Sequence, residues 1–370
     1  MPITLERLQQ LSQPLINLYN QIQTEMLISI AKRLKSEEGR LVDNVIKWQA
    51  NKLNQLGGLT KENITILARM AGIGPRDFMN LLREAGVEGI GPNESLLAAA
   101  LRKGAPITEP PPPVEDPTIT RILETYEKQA TDTLNLVNST LLSQSQQVYR
   151  DIINHTTAEV LAGTKTPKQA IRSTIKQWAR QGIPALIDKA GRKWSAEGYV
   201  SMVVRTMSSQ ITNEMQDARF GGWGVDLVEV SSHAGARPKC APYQGRIYSR
   251  SGRTQGYPTL ADTSRGQPDG LFGINCGHFQ YPFFPGISQK RYNRYPKEEN
   301  DRAYKNSQIQ RRLERAIRQA KTEARMLEAA GDEEGAKEAR KLVRARQARM
   351  RKFIEETGRT RRRDREQIHS

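Results

Sequence analysis

Val225-Asp226-Leu227-Val228-Glu229-Val230-Ser231-Ser232-His233-Ala234-Gly235-Ala236-Arg237-Pro238-Lys239-Cys240 is where this chain changes character. Before it, apolar residues recur at threes and fours, the period of a helix. From Val225 to Val230 they cluster in a short strand-like run. Gln244 to Ser249 reads as a second short strand, and Phe279 to Phe284 as a third, ended by Pro285-Gly286. Between them, Ser251 to Gly270 is rich in Gly, Pro, Ser, Thr and Asp and reads as loop. The fold class predicted is therefore α+β: a mostly helical chain, a small mixed β-containing core late in the sequence, and a basic helical C-terminal tail.

Working outward, the chain divides by composition. Residues 1–105 read as an N-terminal helical module. Leu8, Leu11, Leu15, Leu18, Ile22 and Met26 form its first apolar stripe. Gly57-Gly58 is expected to break that helix, with Thr60 capping the next, and Gly72-Ile73-Gly74-Pro75 to turn before short helices that reach about Lys103. Residues 106–117 form a linker, because the prolines at 110 to 113 favour extended polyproline II and forbid helix. Residues 118–187 read as a long helical region. Asp116 is placed to cap it and Pro117 to sit in its first turn, and the helix is expected to run to about His155. Thr166-Pro167 starts another helix that runs to about Arg180, and Ala190 to Trp194 reads as a turn with a basic tip. Residues 188–288 hold the core with the short strands, and residues 289–370 the charged, basic helical tail.

The 370 residues carry 57 Lys and Arg against 40 Asp and Glu, a formal net charge of +17. Such an excess attracts polyanions: nucleic acid, an anionic membrane surface or an acidic protein. No run of about 18 apolar residues exists, so no membrane span is expected. The start, Met1-Pro2-Ile3-Thr4-Leu5-Glu6, lacks the basic-then-apolar pattern of a secretory signal, and assembly in a cytosol is expected. Between Lys337 and Arg365 thirteen Lys/Arg face four Asp/Glu. That imbalance marks Arg340, Lys341, Arg344, Arg346, Arg349, Arg351, Lys352, Arg361, Arg362, Arg363 and Arg365 as candidate phosphate contacts, with Arg192 and Lys193 at the basic turn.

The chain has two cysteines and four histidines, and both cysteines and two of the histidines fall in one block as His233/Cys240 and Cys276/His278. Three arrangements fit these groups. Two ligands from each cluster would close a structural zinc site of Cys2His2 type, although the spacing matches no common zinc finger. Two buried thiols with hydrogen-bonded histidines would hold the same loops without metal. A disulfide is disfavoured in a reducing compartment. A catalytic Cys-His dyad requires a thiolate beside a base, but neither cysteine stands in a recognisable hydrolase signature, and no phosphate-binding Gly-rich loop is present. Catalysis is therefore not expected. Arg205 and Arg237 are candidates for pairing with Asp226, Glu229 or Asp269 to lock the fold.

The stretches Asp188 to Trp194, Tyr199 to Thr206, Val228 to Pro238, Gln244 to Ser249 and Asp269 to His278, followed by Pro282 and Pro285-Gly286-Ile287-Ser288, resemble the phage minor capsid protein 2 family. That family is related to the Mu F-like head morphogenesis proteins. The motif-level resemblance covers roughly residues 186–288 and makes Arg205, Gly235, Arg237, Pro238, Gln244, Gly245, Gly270, Gly273 and Asn275 its structural core motif. Three positions depart from the family's pattern: Cys240 stands where His is usual, Tyr243 where Trp is usual, and Gly277 where Arg is usual. The exchange at 240 keeps a metal ligand but loses a proton shuttle. The resemblance implies a structural minor head protein of a tailed phage, made in the host cytoplasm. It would sit in the virion at the portal vertex or capsid interior, in several copies, against the portal protein or major capsid protein. It would contact packaged double-stranded DNA non-specifically and aid head assembly or genome ejection. The competing readings are a virion-delivered enzyme (ADP-ribosyltransferase-like, or a metal-dependent nuclease) and a transient DNA-binding assembly factor.

Overall fold

The computed structural model describes residues 4–35, 41, 44–71 and 73–368. The described helices of ten residues or more are α1 (Leu5–Lys35), α2 (Val45–Asn54), α3 (Leu56–Ala71), α4 (Ile73–Arg102), α5 (Pro117–Leu161), α6 (Pro167–Gln181), α7 (Ala196–Trp223), α8 (Lys297–Ala329) and α9 (Glu333–Thr357). The strands are β1 (Pro184–Ile187), β2 (Lys193–Ser195), β3 (Leu227–Val230), β4 (Ile247–Ser249) and β5 (Gln280–Pro282). The fold is thus α+β and mostly helical. β1 and β2 form an antiparallel hairpin, and the other strands a three-stranded antiparallel sheet of order β4-β3-β5.

Several helix ends follow the sequence. Thr118 N–H donates to Asp116 Oδ1 at 2.9 Å, so Asp116 caps α5 with Pro117 behind it. Thr166 and Gln169 form a reciprocal capping box at the start of α6. Others do not. Gly57 and Gly58 lie inside α3 rather than breaking a helix, and Thr60 is not a cap, since its hydroxyl donates to the Leu56 carbonyl one turn back at 2.8 Å. Two glycines cost a helix about 1 kcal/mol each, and the complete burial of Leu59 works against that cost. Of the turn expected at 72–75, Gly72 lies outside the described residues, while Ile73, Gly74 and Pro75 open α4. Proline is tolerated there because the first turn has no intrahelical acceptor for its missing N–H. α4 is one helix of 30 residues, not a series of short ones. Of the opening residues Met1 to Glu6, the first three lie outside the described residues.

The chain sorts into two compact units. Unit 1 comprises Met1–Leu15, Pro75–Thr133 and Ser201–Ser307; unit 2 comprises Ile16–Gly74, Leu134–Val200 and Gln308–Ser370.

In unit 1, α4 and α7 approach closely. A Cβ on Gly86 would lie 2.4 Å from Met215 Sδ, so an added methyl would make the flexible Met215 side chain swing aside. Thr212 Oγ1 donates to the Ala85 carbonyl and Gln216 Nε2 to that of Gly89, across the same crossing. Further along, the fully buried Arg219 guanidinium grips Glu94 in a two-pronged pair at 2.7 and 2.8 Å, and also donates to Asp116 Oδ2 and the Pro111 carbonyl. Arg219 thereby fastens the proline segment: Pro112 has the extended φ −52°, ψ 148° expected of it, whereas Pro113, expected to forbid helix, opens a single 3-10 turn over Pro113–Glu115, a first position that needs no N–H. The apolar core of this unit joins Leu97, Phe220, Trp223, Val228, Val230, Tyr248, Leu271 and both cysteines.

In unit 2, α8 and α9 form a helical hairpin sealed by Leu313, Ile317, Met350 and Phe353. Asp332 caps α9 through Gly335 N–H at 3.0 Å and takes a second contact from Arg172 Nη2 at 2.7 Å. The basic turn at 190–194 proves to be the tip of the β1–β2 hairpin. Asp188 organises it by accepting from the Ala190 and Arg192 backbone amides and from Trp194 Nε1.

Candidate functional site

β3 is the central strand of the sheet, and the two Cys/His segments meet at its C-terminal end. His233 follows β3, Cys240 lies in the turn before β4, and Cys276 and His278 lead into β5. Register between β3 and β5, with Val230 opposite Gln280, brings these segments side by side. The ligand-type atoms of Cys240, Cys276 and His278 all lie within 4.8 Å of one another, and all three residues are buried. His233 falls outside that grouping. Its ring stacks on His278 with centroids 4.5 Å apart, and its Nε2 is buried with no hydrogen-bond partner. The structure therefore gathers three of the four expected ligands and sets the fourth beside them. Both cysteines are free, so the disulfide is not formed.

The surroundings wire this cluster tightly. His278 Nδ1 is 3.3 Å from Cys276 Sγ and its Nε2 is 3.2 Å from Gln244 Oε1. Gln244 Oε1 also accepts from His233 N–H at 3.0 Å. Gln244 Nε2 points at Asn300 Oδ1, which itself accepts from the Gly235 and Ala236 amides. From the other side, α7 presents a polar row. Thr206 Oγ1 accepts from Asn275 N–H, Ser209 Oγ donates to the Cys276 carbonyl, and Asn213 Nδ2 donates to the His278 carbonyl. Asn300 and this row were not singled out in the sequence. The row did leave a trace: Thr206, Ser209 and Asn213 recur three and four apart, away from the apolar stripe of Val203, Met207, Ile211 and Met215.

Electrostatics differ between the two thiols. Hydrogen bonding to Cys276, with burial second, pushes the Cys240 thiol up, whereas Cys240's hydrogen bond holds the Cys276 thiol down. Burial, followed by the neighbouring His278 charge, pushes the His233 imidazole down to about 4.

The motif residues serve the loops around this cluster. Gly245 adopts φ +63°, and a Cβ there would meet the Asn293 carbonyl carbon at 2.7 Å. A Cβ on Gly270 would lie 1.9 Å from the Ser264 carbonyl oxygen. Gly235 and Gly273 sit in the same two loops, and Asn275 takes a left-handed φ of 55°. Pro238 is exposed in the turn that carries Cys240, and Arg205 is half-buried on α7. Arg237 Nη2 reaches the Gly270 carbonyl at 3.4 Å and Cys240 Sγ at 4.0 Å. The carboxylates expected to pair with the arginines take hydrogen bonds elsewhere, while Arg237 still adds attraction at Asp269. Glu229 accepts from the Arg291 and Tyr292 backbone amides, Asp226 from Ser249, Ser251 and Thr254, and Asp269 from Lys239.

The family model described as phage minor capsid protein 2 matches residues 3–355 of this chain. The chain belongs to the phage minor capsid protein 2 family. Its relatives include a "Structural protein" of Lactococcus phage LL-H, 31% identical over 361 residues, spanning 92% of this chain and 94% of the relative. Another "Structural protein", from Lactococcus phage mv4, is 34% identical over 113 residues, 30% of this chain and 92% of the relative. No solved structure matches the chain. This family member is thus a phage structural protein and a virion component. None of its described helices is long and apolar enough to cross a membrane.

The candidate phosphate contacts separate into three groups. Arg346 donates to the Ala316 carbonyl and is half-buried, Arg361 is paired with Glu366 at 2.6 Å, and Arg362 and Arg365 are half-buried. These four are built into unit 2. Arg192, Arg340 and Lys352 are exposed but paired, with Asp188, Glu328 and Glu356 respectively. Lys193, Lys341, Arg344, Arg349, Arg351 and Arg363 are exposed and make no ion pair among the described residues.

Proposed function

We propose that this family member sits at the portal vertex or inner capsid wall, touches the portal or major capsid protein, and contacts packaged double-stranded DNA through its charge alone. It serves head assembly or genome ejection as a structural component and not as an enzyme. The observation that carries the DNA contact is the outer face of α9. At 100° per residue, Lys337, Lys341, Arg344 and Arg351 fall along one side of the helix, opposite the buried Ala336, Ala339, Met350 and Phe353. None of the four has an ion partner among the described residues, and they span about 21 Å at 1.5 Å per residue. Unmatched cations in a row suit a phosphate backbone and carry no base code. Burial of the Cys/His cluster argues against a substrate reaching it.

DNA affinity measured across salt concentrations tests this reading. Replacing the four cations with glutamine is expected to reduce the slope of log affinity against log salt by about 3–4, at about 0.9 per phosphate contact. A slope unchanged by the substitution refutes the contact. Incubating the purified chain with DNA, and separately with NAD, is expected to give neither cleavage nor NAD consumption; turnover abolished by His278→Ala would make it an enzyme.

A further inference from the structure

The hydrogen-bond network fixes where the protons of the cluster lie. Asn300 Oδ1 accepts from two backbone amides, at 3.1 and 2.9 Å, so it is the oxygen that faces Gln244. The Gln244 atom turned toward it is consequently the NH2 group, and the atom turned toward His278 is Oε1. Only an N–H can meet that oxygen, so His278 carries its proton on Nε2. Its Nδ1 lone pair then points at Cys276 Sγ, 3.3 Å away. At His233 the contact of Nδ1 with the Ala234 carbonyl at 3.4 Å places the proton there, leaving the buried Nε2 as a bare lone pair. Two imidazoles, each oriented by a hydrogen bond at one nitrogen and open at the other, next to two free buried thiols, have the donor state that a metal requires.

We propose that Cys240, Cys276 and His278 bind one zinc ion, and that His233 Nε2 completes a tetrahedral site by a side-chain rotation. With Zn–S near 2.3 Å and Zn–N near 2.0 Å, tetrahedral ligand atoms lie about 3.5–3.8 Å apart. The three gathered atoms are already within 4.8 Å of one another, so closure requires a contraction of at most about 1.3 Å at the widest pair. Binding releases the two thiol protons; two thiolates and two neutral imidazoles then balance the dication, leaving a buried site without net charge. Gln244 and Asn300 are positioning residues that act through the His278 tautomer.

The test uses the full chain, made without a histidine tag, purified under reducing conditions and loaded with Co(II) as a spectroscopic stand-in. One ion per chain is expected, with the visible bands of tetrahedral Co(II), sulfur-to-cobalt charge transfer of two-thiolate strength, and displacement by zinc. His233→Ala should keep the charge transfer and alter the visible bands, as water takes the fourth position. Gln244→Leu retains all four ligands and should weaken metal affinity about 10–100-fold. Should the variants fail to fold, the unmodified chain decides: bound zinc should protect both cysteines from alkylation until a chelator is added. A metal content near zero after loading, charge transfer of a single thiolate, alkylation indifferent to zinc, or a Cys240–Cys276 disulfide in the virion would each overturn the proposal.

Discussion

In unit 1, Arg219, Glu229, Gln244 and Asn300 are buried, and each meets named partners; on α9 of unit 2, Lys337, Lys341, Arg344 and Arg351 are exposed and have no ion partner among the described residues. The first set costs free energy to desolvate and is tolerable only because every partner stands in place. The second costs little in water and is constrained by no neighbour. Buried polar groups of this kind resist substitution because each holds several backbone segments together. Exposed cations are replaceable one at a time, and their effect accumulates only against a polyanion.

The contrast can be broken most sharply at Arg219. Arg219→Met strands Glu94, Asp116 and the Pro111 carbonyl, and is expected to destabilise unit 1 by about 3–5 kcal/mol, read from the denaturation midpoint in urea. Asn300→Ala removes its contacts with Gly235, Ala236 and Gln244 and should cost about 2–3 kcal/mol. It should also speed the reaction of Cys240 with a thiol reagent, because the loop that carries it loses its anchor. A smaller effect is expected from acid. Burial alone would raise the Asp226 carboxyl, but hydrogen bonds from Thr254, Ser251 and Ser249 outweigh it and hold the group below the usual carboxylate range. A depressed folded-state pKa gives stability that is present above the unfolded value of about 3.9 and lost as pH falls through the folded one. Asp226→Asn should therefore flatten the acid side of the stability profile. Least of all, each single glutamine replacement at Lys337, Lys341, Arg344 or Arg351 should change stability by under about 0.5 kcal/mol. Effects of several kcal/mol there would mean that α9 is packed rather than displayed.

Legibility in the sequence followed the same division. Caps with a local hydrogen-bond logic, such as Asp116-Pro117 and Thr166-Pro167, could be read directly, as could β3, β4 and β5 to within a few residues. The β1–β2 hairpin could not, since Pro184-Ala185-Leu186-Ile187 and Lys193-Trp194-Ser195 lack the Val-, Tyr- and Phe-rich runs that mark the other three strands. Gly57-Gly58 misled because a glycine pair weakens a helix without forbidding it. At the candidate site, three of the four expected ligands converge. What stayed hidden was the support from Asn300, which stands 56 residues beyond Gln244 in no recognisable motif. Hydrogen bonds between segments so distant leave no period to detect.

Glu229 places a lasting constraint on how genes for such chains can be spliced. Its buried carboxylate receives the amides of residues 291 and 292, while Asn300 clasps the loop at 235–236. Half of each clasp is encoded upstream and half downstream of the intervening stretch. A recombination joint falling between codons 236 and 291 would draw the two halves from different parents. Any residue but proline supplies the backbone amides, so the joined chain keeps both clasps where one parent brings the carboxylate at 229 and the other the asparagine at 300.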